Sequence, residues 1–287
     1  MNSLLQIGVG AFILLVLFSS MRSCSSSSRY GDTYNVSVQQ IAGADAASGL
    51  DLQAVGSLVK QAKTGEEFER LLNTPSVGVN NLDLDEDGAV DYIKVTEYGT
   101  GNVKGFSLTV DLANNQTQEV ATIEIEKTAD GRANVQTHGN RNIYGANHYY
   151  HSSFGLTDFL LLSWLFNSNR PYYSSPWGYN SYPSYYGRYS PSSYDNYRQR
   201  TRNVTSSSTW SSSNTSTVSS TATSPNAGKT ADNIKAPLKS PTSSQKSFQA
   251  RNPSKTVRSG GFGRTSTSTS SPSVKRTTSS SFRSGGK

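Results

Sequence analysis

Acidic and basic residues are segregated along this chain, and the boundary between them limits where a folded core can lie. Between Tyr30 and Asn140 there are 17 Asp and Glu against 7 Lys and Arg, whereas from Arg141 to Lys287 there are 18 Lys and Arg against Asp158, Asp195 and Asp232 alone. The first half reads as a folded acidic domain and the second as a solvated basic arm. Only 33% of the 287 residues are hydrophobic, too few for a core running the full length, so one domain of about 100 residues is expected. Cys24 is the single cysteine, which excludes an intrachain disulfide and a Cys-based zinc site.

Leu4 to Phe18 is an uncharged, mostly apolar run of 15 residues. Extended to about 18 residues by its flanking serines, a helix of this length reaches ~27 Å, close to the roughly 30 Å of a bilayer core. Residues 1–20 therefore read as a transmembrane anchor or signal segment, followed by a Ser-rich linker over 21–33. An uncleaved anchor, a cleaved secretory signal and a lipoprotein signal ending at Cys24 all fit. Arg22 departs from the small and aliphatic residues that normally precede a lipidated cysteine. Arg22 and Arg29 follow the run while only the chain's own amine precedes it, a positive-inside count of two that points the remainder to the cytoplasm.

Residues 34–140 carry the pattern of a small α+β domain. Ser48-Gly-Leu-Asp51 and Thr64-Gly-Glu-Glu67 fit capping boxes. The helix after the first places Leu52, Val55, Val59 and Ala62 on one face; the second places Phe68, Leu71 and Leu72 on one face and stops before Pro75. Beyond Pro75 the apolar period changes to two, through Ile93 and Val95, then Phe106, Leu108, Val110 and Leu112, then Ala121, Ile123 and Ile125. Gly99-Thr-Gly101-Asn102, Asn114-Asn115 and Asp130-Gly131 supply the turns. With a strand near Arg132 to Thr137, the expectation is two short helices packed on an antiparallel four-stranded meander.

Asp83-Leu-Asp85-Glu-Asp87-Gly88-Ala-Val90-Asp91 is the one metal-like constellation. Carboxylates at alternate positions converge when the loop curls, Gly88 permits the bend, and oxygen ligands suit a hard cation such as Ca2+. The spacing resembles an EF-hand calcium loop over its first nine positions. It resembles still more the Asp-x-Asp-x-Asp-Gly-x-x-Asp loops of extracellular β-rich repeat proteins, where a strand follows. The twelfth position, a bidentate Glu in EF-hands, is Lys94, so Asp91 would have to supply the missing charge. The ligand set expected from the sequence is Asp83, Asp85, Asp87 and Asp91, with weak affinity, roughly 10⁻⁴ to 10⁻³ M. A solvated acidic turn is the alternative.

Other chemistry is thin. His148 and His151 could share one face of a turn, yet no acidic or Cys ligand stands near, and His138 is the only other histidine. Gly99 to Gly105 is superficially like a phosphate loop but lies between two strands with no helix after it. No residue constellation suggests catalysis, and the chain is expected not to be an enzyme.

Residues 141–189 form a Tyr-rich hinge, since 12 of the 16 tyrosines lie between Tyr144 and Tyr197. Within it Phe154 to Phe166 reads as a short apolar helix of ~20 Å, too short to span a bilayer. It suits a membrane interface, a partner's groove or the folded domain itself. Residues 190–287 are Ser, Thr, Asn and Pro with scattered Lys and Arg and no apolar periodicity, so they are expected to be a disordered basic tail. Dispersed basic charge suits salt-sensitive attraction to polyanions.

The order of apolar N-terminus, aromatic hinge and Ser/Arg tail containing Gly260-Gly261-Phe262-Gly263 is similar to that of uncharacterised bacterial envelope proteins, some associated with biofilm or envelope stress. The resemblance covers the organisation and the tail, and implies a bacterial, membrane-linked setting. The functional expectation is a membrane-tethered envelope protein with an interaction or structural role, periplasm-facing, whose tail engages anionic surface polymer or lipid. The alternative is a membrane-anchored cytoplasmic adaptor whose Arg/Gly/Ser tail binds nucleic acid or a protein partner.

Overall fold

Turn residues able to adopt left-handed backbone set the frame of the sheet. The computed structural model describes residues 46–146, 149–155, 160–219 and 222–252. Ile93–Thr100 (β1) and Val103–Leu112 (β2) are joined through Gly101 at φ 62°, and Gln116–Lys127 (β3) follows β2 through Asn114 and Asn115 at φ 63° and 57°. Gly131 at φ 78° turns the chain into Arg132–Gly139 (β4). These are the three turns expected from composition, each at a residue type that tolerates positive φ.

The sheet does not end at four strands. Tyr149–Gly155 (β5) pairs with β4, and Ser211–Ser213 (β6) pairs with β5, giving a six-stranded antiparallel sheet in the order β1-β2-β3-β4-β5-β6. The register of β2 on β3 shifts between Leu108 and Thr109, where Val120 is the extra residue. Sequence pattern misses β5 because Tyr-Tyr-His-Ser-Ser has no strict alternation of apolar and polar residues. It misses β6 because three serines carry no strand signal at all.

Two helices cover one face of the sheet. Leu52–Val59 (α1) is capped by the Asp51 carboxylate, which accepts from the Gln53 and Ala54 N–H groups. Ser48 instead lies in a 3₁₀ turn, Ala46–Gly49, so the first expected capping box is displaced by one turn. Gly65–Leu72 (α2) is capped by Thr64 as expected, while the Glu67 carboxylate reaches back to the Lys63 N–H. Leu52, Val55, Val59, Ala62, Phe68 and Leu72 are buried with Phe106, Leu108, Val110, Ile123 and Ile125 in one core. Each of these side chains larger than alanine contributes about 1.5–3 kcal/mol on burial. Phe68 and Phe106 meet with ring centroids 5.4 Å apart.

The remaining helices are Arg141–Tyr144 (α3), Leu160–Leu165 (α4), Tyr194–Thr205 (α5) and Ser243–Arg251 (α6). Phe154 and Gly155 belong to β5, so the apolar helix expected over 154–166 does not begin at Phe154; its described part is α4, which sends Leu161, Leu162 and Leu165 into the core. The expectation of disorder from residue 190 fails as far as Asn252. Tyr197, Ala231, Ile234 and Ala236 are buried, and residues between Ala222 and Ser240 pass from β3 to the Asp83–Asp91 loop and α3. Their path is fastened at Glu119 (N–H to Lys229 O, 3.1 Å), at Leu84 (O from Lys235 N–H, 2.8 Å) and at Asn142 (O from Ser240 N–H, 3.1 Å). Thr242 and Gln245 form a capping box on α6. A segment poor in apolar residues is held here by hydrogen bonds to backbone groups of a strand, a loop and a helix that would otherwise need another partner.

The Tyr-rich segment covers the free edge of β1. The Tyr173 carbonyl accepts from the Glu97 N–H at 2.7 Å and the Ser175 N–H donates to the Val95 carbonyl at 2.9 Å, which pairs a strand edge that would otherwise invite association. Among the described residues no helix is long and apolar enough to cross a membrane. The Leu4–Phe18 run, Cys24, His148, Asp158 and residues 253–287 lie outside the described residues.

Candidate metal centre

Alternation, the same property that makes strands, exposes the acidic side of the Asp83–Asp91 loop. Leu82, Leu84 and Val90 are buried, while Asp83 and Asp85 are half-buried and Asp87 is exposed. Two buried amides hold the loop in place. Asn73 donates to the Glu69 and Ile93 carbonyls and accepts from the Ile93 N–H, acting as a strand partner for the first residue of β1. Asn80 donates to the Asp91 carbonyl at 2.7 Å and accepts from the Leu82 N–H at 3.1 Å.

Glu86 and Gly88 both stand in the left-handed region, at φ 52° and 85°, and curl the chain between them. Each carboxylate of Asp83, Asp85 and Asp87 thereby offers an oxygen within 4.8 Å of the others, a cluster able to hold a metal ion. Asp83 accepts from the Asp87 and Gly88 N–H groups, both at 3.1 Å, and Asp87 accepts from the Ala89 N–H at 2.9 Å. Asp85 Oδ1 is covered and has no hydrogen-bond partner. Burial, reinforced by the neighbouring charges of Asp87 and Asp85, pushes the Asp83 carboxyl up to about 6. Asp85 is raised by burial and then by Asp87, and Glu86 by burial.

Asp91 stands apart from the other three. Its Oδ2 accepts from the Leu84 N–H at 2.6 Å and ties the two ends of the loop together. Burial holds it well above the ordinary carboxylate range. Three of the four expected ligands are thus gathered, and the fourth closes the base of the loop. Lys94, at the twelfth position, is turned away and pairs with Asp111 at 2.7 Å.

Two cations near the cluster escape sequence reasoning. Arg188 pairs with Asp87 across 101 residues of chain, and the Lys235 charge lowers both Asp85 and Glu86. No local signal marks either one, because both arrive by tertiary folding. Arg188 comes with the Tyr-rich segment, whose Tyr186 and Tyr189 hydroxyls donate to the Val90 and Asn80 carbonyls.

The histidines do not form a centre among the described residues. The His138 ring stacks on Tyr149 with centroids 4.0 Å apart, and His151 lies on β5. The Gly99 to Gly105 segment is a hairpin turn running into β2. Arg198, Arg200 and Arg202 are exposed on α5, so part of the basic charge expected on a loose tail is carried by a folded helix. No family model, curated protein or solved structure matches the chain.

Proposed function

We propose that this chain is a non-enzymatic, membrane-tethered protein of a bacterial envelope, whose Asp83–Asp91 loop holds Ca2+ as a structural clamp and whose basic face meets anionic polymer or lipid. The observation that carries the reading is the convergence of the Asp83, Asp85 and Asp87 oxygens within 4.8 Å, with Asp85 Oδ1 covered and unpartnered. A divalent cation there would offset the mutual repulsion of three carboxylates and supply the contact that Asp85 lacks. Asp91 would act from beneath, by fixing the loop base through Leu84.

The clamp has a structural purpose. The loop joins α2 to β1, and Leu84 within it carries the Lys235 and Ala236 N–H groups, so stiffening it would secure helix, sheet and C-terminal wrap together. Support for polyanion contact comes from the exposed arginines of α5 and the net charge of +7.

Calorimetric titration of the protein with CaCl2, together with Tm in 5 mM Ca2+ and in chelator, tests the clamp. Saturable binding near ~10⁻⁴ to 10⁻³ M with a rise in Tm is expected; no heat and an unchanged Tm would remove it. Protease digestion of a C-terminally tagged protein in intact cells, spheroplasts and lysates tests the location. Digestion as soon as the outer barrier is opened is expected, and protection until lysis would move the protein to the cytoplasmic face.

A further inference from the structure

β6 pairs only with Tyr149, Tyr150 and His151 of β5. Among the described residues, Ser152 to Gly155 therefore have no strand on their outer side. The chain entering β6 crosses this gap and is fastened by Ser152 Oγ donating to the Thr209 carbonyl at 2.6 Å. Beside the fastening lies a pocket of about 580 Å³ whose lining includes Lys60, Asn134, His151, Ser207, Ser208 and Ser211.

Three properties of this pocket point to one ligand chemistry. His151 Nδ1 and Ser208 Oγ are covered and have no hydrogen-bond partner, a cost that turning either side chain toward the hydroxyl or phosphoryl oxygens of a bound molecule would relieve. The lining contains no carboxylate. Among the described residues Lys60, at its wall, has no ion-pair partner, its Nζ resting 4.4 Å from the centroid of the Phe154 ring. A positive charge without a counter-ion, above a wall of hydroxyls and one imidazole, fits an anionic ligand that is rich in oxygen.

We infer that this pocket binds a phosphate-bearing polyol, with Lys60 meeting the phosphate and His151, Ser208 and Asn134 meeting the hydroxyl groups. Such a ligand exists as a free sugar phosphate and as the terminal unit of a phosphate-linked surface polymer. The site is independent of the calcium clamp, since β5 and β6 lie at the opposite edge of the sheet from β1 and its acidic loop. It gives the proposed engagement of anionic polymer a specific end-group site, distinct from the diffuse attraction of the α5 arginines.

The test is calorimetry on the whole chain with glucose 6-phosphate, glucose, inorganic phosphate and a poly(glycerol phosphate), at two salt concentrations. Glucose 6-phosphate should bind saturably and more tightly than glucose or phosphate alone. Lys60→Met should weaken it about tenfold, the loss of one charge-assisted hydrogen bond. Ser211→Asp, a change at an exposed position that places a carboxylate in the lining, should abolish it while Tm stays within a few degrees. Asp85→Asn should weaken calcium binding by at least about tenfold and leave glucose 6-phosphate binding intact, which separates the failure of one proposal from that of the other. A free sugar phosphate as the natural form predicts no binding of the polymer once Arg198, Arg200 and Arg202 are changed to alanine; a polymer end predicts that binding survives this change. Absence of saturable glucose 6-phosphate binding up to 10 mM, or equal binding by wild type and Ser211→Asp, would overturn the inference.

Discussion

The carboxylate of Glu97 receives both terminal nitrogens of Arg170, each at 2.7 Å. Glu97 is fully buried and Arg170 nearly so. The guanidinium also donates to the Trp164 and Leu165 carbonyls and lies 3.3 Å from the centroid of the Trp164 ring. The pair joins β1 to the segment after α4, and a third bond to the same carboxylate, from the Tyr173 N–H at 2.9 Å, extends the junction. An acid from the acidic half and a base from the basic half of the sequence have become one internal fastening.

Arg170→Ala should therefore cost about 3 kcal/mol, because it leaves a buried carboxylate without its counter-charge. Arg170→Lys should recover only part of this, since an ammonium cannot reproduce the two-pronged contact. Urea denaturation measures both, and equal stability of wild type and Arg170→Ala would show the pair to be incidental.

Glu69 makes stability depend on pH. It accepts from the Tyr92 hydroxyl, the Ser175 hydroxyl and the Val95 N–H at 2.7, 2.8 and 2.9 Å. Burial nevertheless outweighs these bonds and holds the carboxyl above its ordinary value. A carboxyl raised in the folded state keeps a proton that the unfolded chain releases. Its contribution is complete below the unfolded value and declines as pH rises through the folded one. Wild type should gain stability relative to Glu69→Gln as pH falls from about 7 toward about 4. A difference in urea midpoint that stays constant over this range would contradict the assignment.

Arg188 and a bound cation would compete for Asp87. Removing the competitor by Arg188→Ala should tighten Ca2+ binding about two- to fivefold, the worth of an exposed ion pair. Asp85→Asn should weaken it by at least about tenfold, because it removes a charged ligand. Parallel calorimetric titrations compare the two, and a loss of affinity on Arg188→Ala would mean that the arginine supports the site.

A chain ending at Asn140 should lack a cooperative unfolding transition, whereas one ending at Asn252 should unfold in a single step with near-native Tm. Truncation at Asn140 uncovers the β1 and β4 edges and strips Leu161, Leu165, Ala231 and Ile234 from the core. Circular dichroism melting distinguishes the two, and a well-folded shorter chain would restore the boundary that the charge pattern suggested.

Much of the frame was legible in the linear chain. Periodicity picked out the core faces of α1, α2 and β1 to β3, and turn chemistry placed three hairpins and with them β4, because each of these depends on residues only a few positions apart. The acidic loop was visible for the same reason: Asp at alternate positions with Gly88 at the bend is a local pattern. The cap of α1 was misplaced because Ser48 and Asp51 offer similar chemistry, and the 3₁₀ turn at Ala46–Gly49 selects Asp51.

What the sequence determined by itself was the set of local conformations between Leu52 and Gly139: which stretches wind, which extend, where they reverse, and where carboxylates gather. Only the tertiary structure decided the extent of the domain, the place of Asp91 beneath the loop, the arrival of Arg188 and the pocket beside β5. Segments with little apolar content carry no periodic signal, and they fold here because hydroxyls and amides satisfy polar groups more than 90 residues away, as Tyr197 does for Val79 and Asp51. Partnerships of that span follow from where the chain passes in three dimensions, and nothing in the spacing of neighbouring residues encodes them.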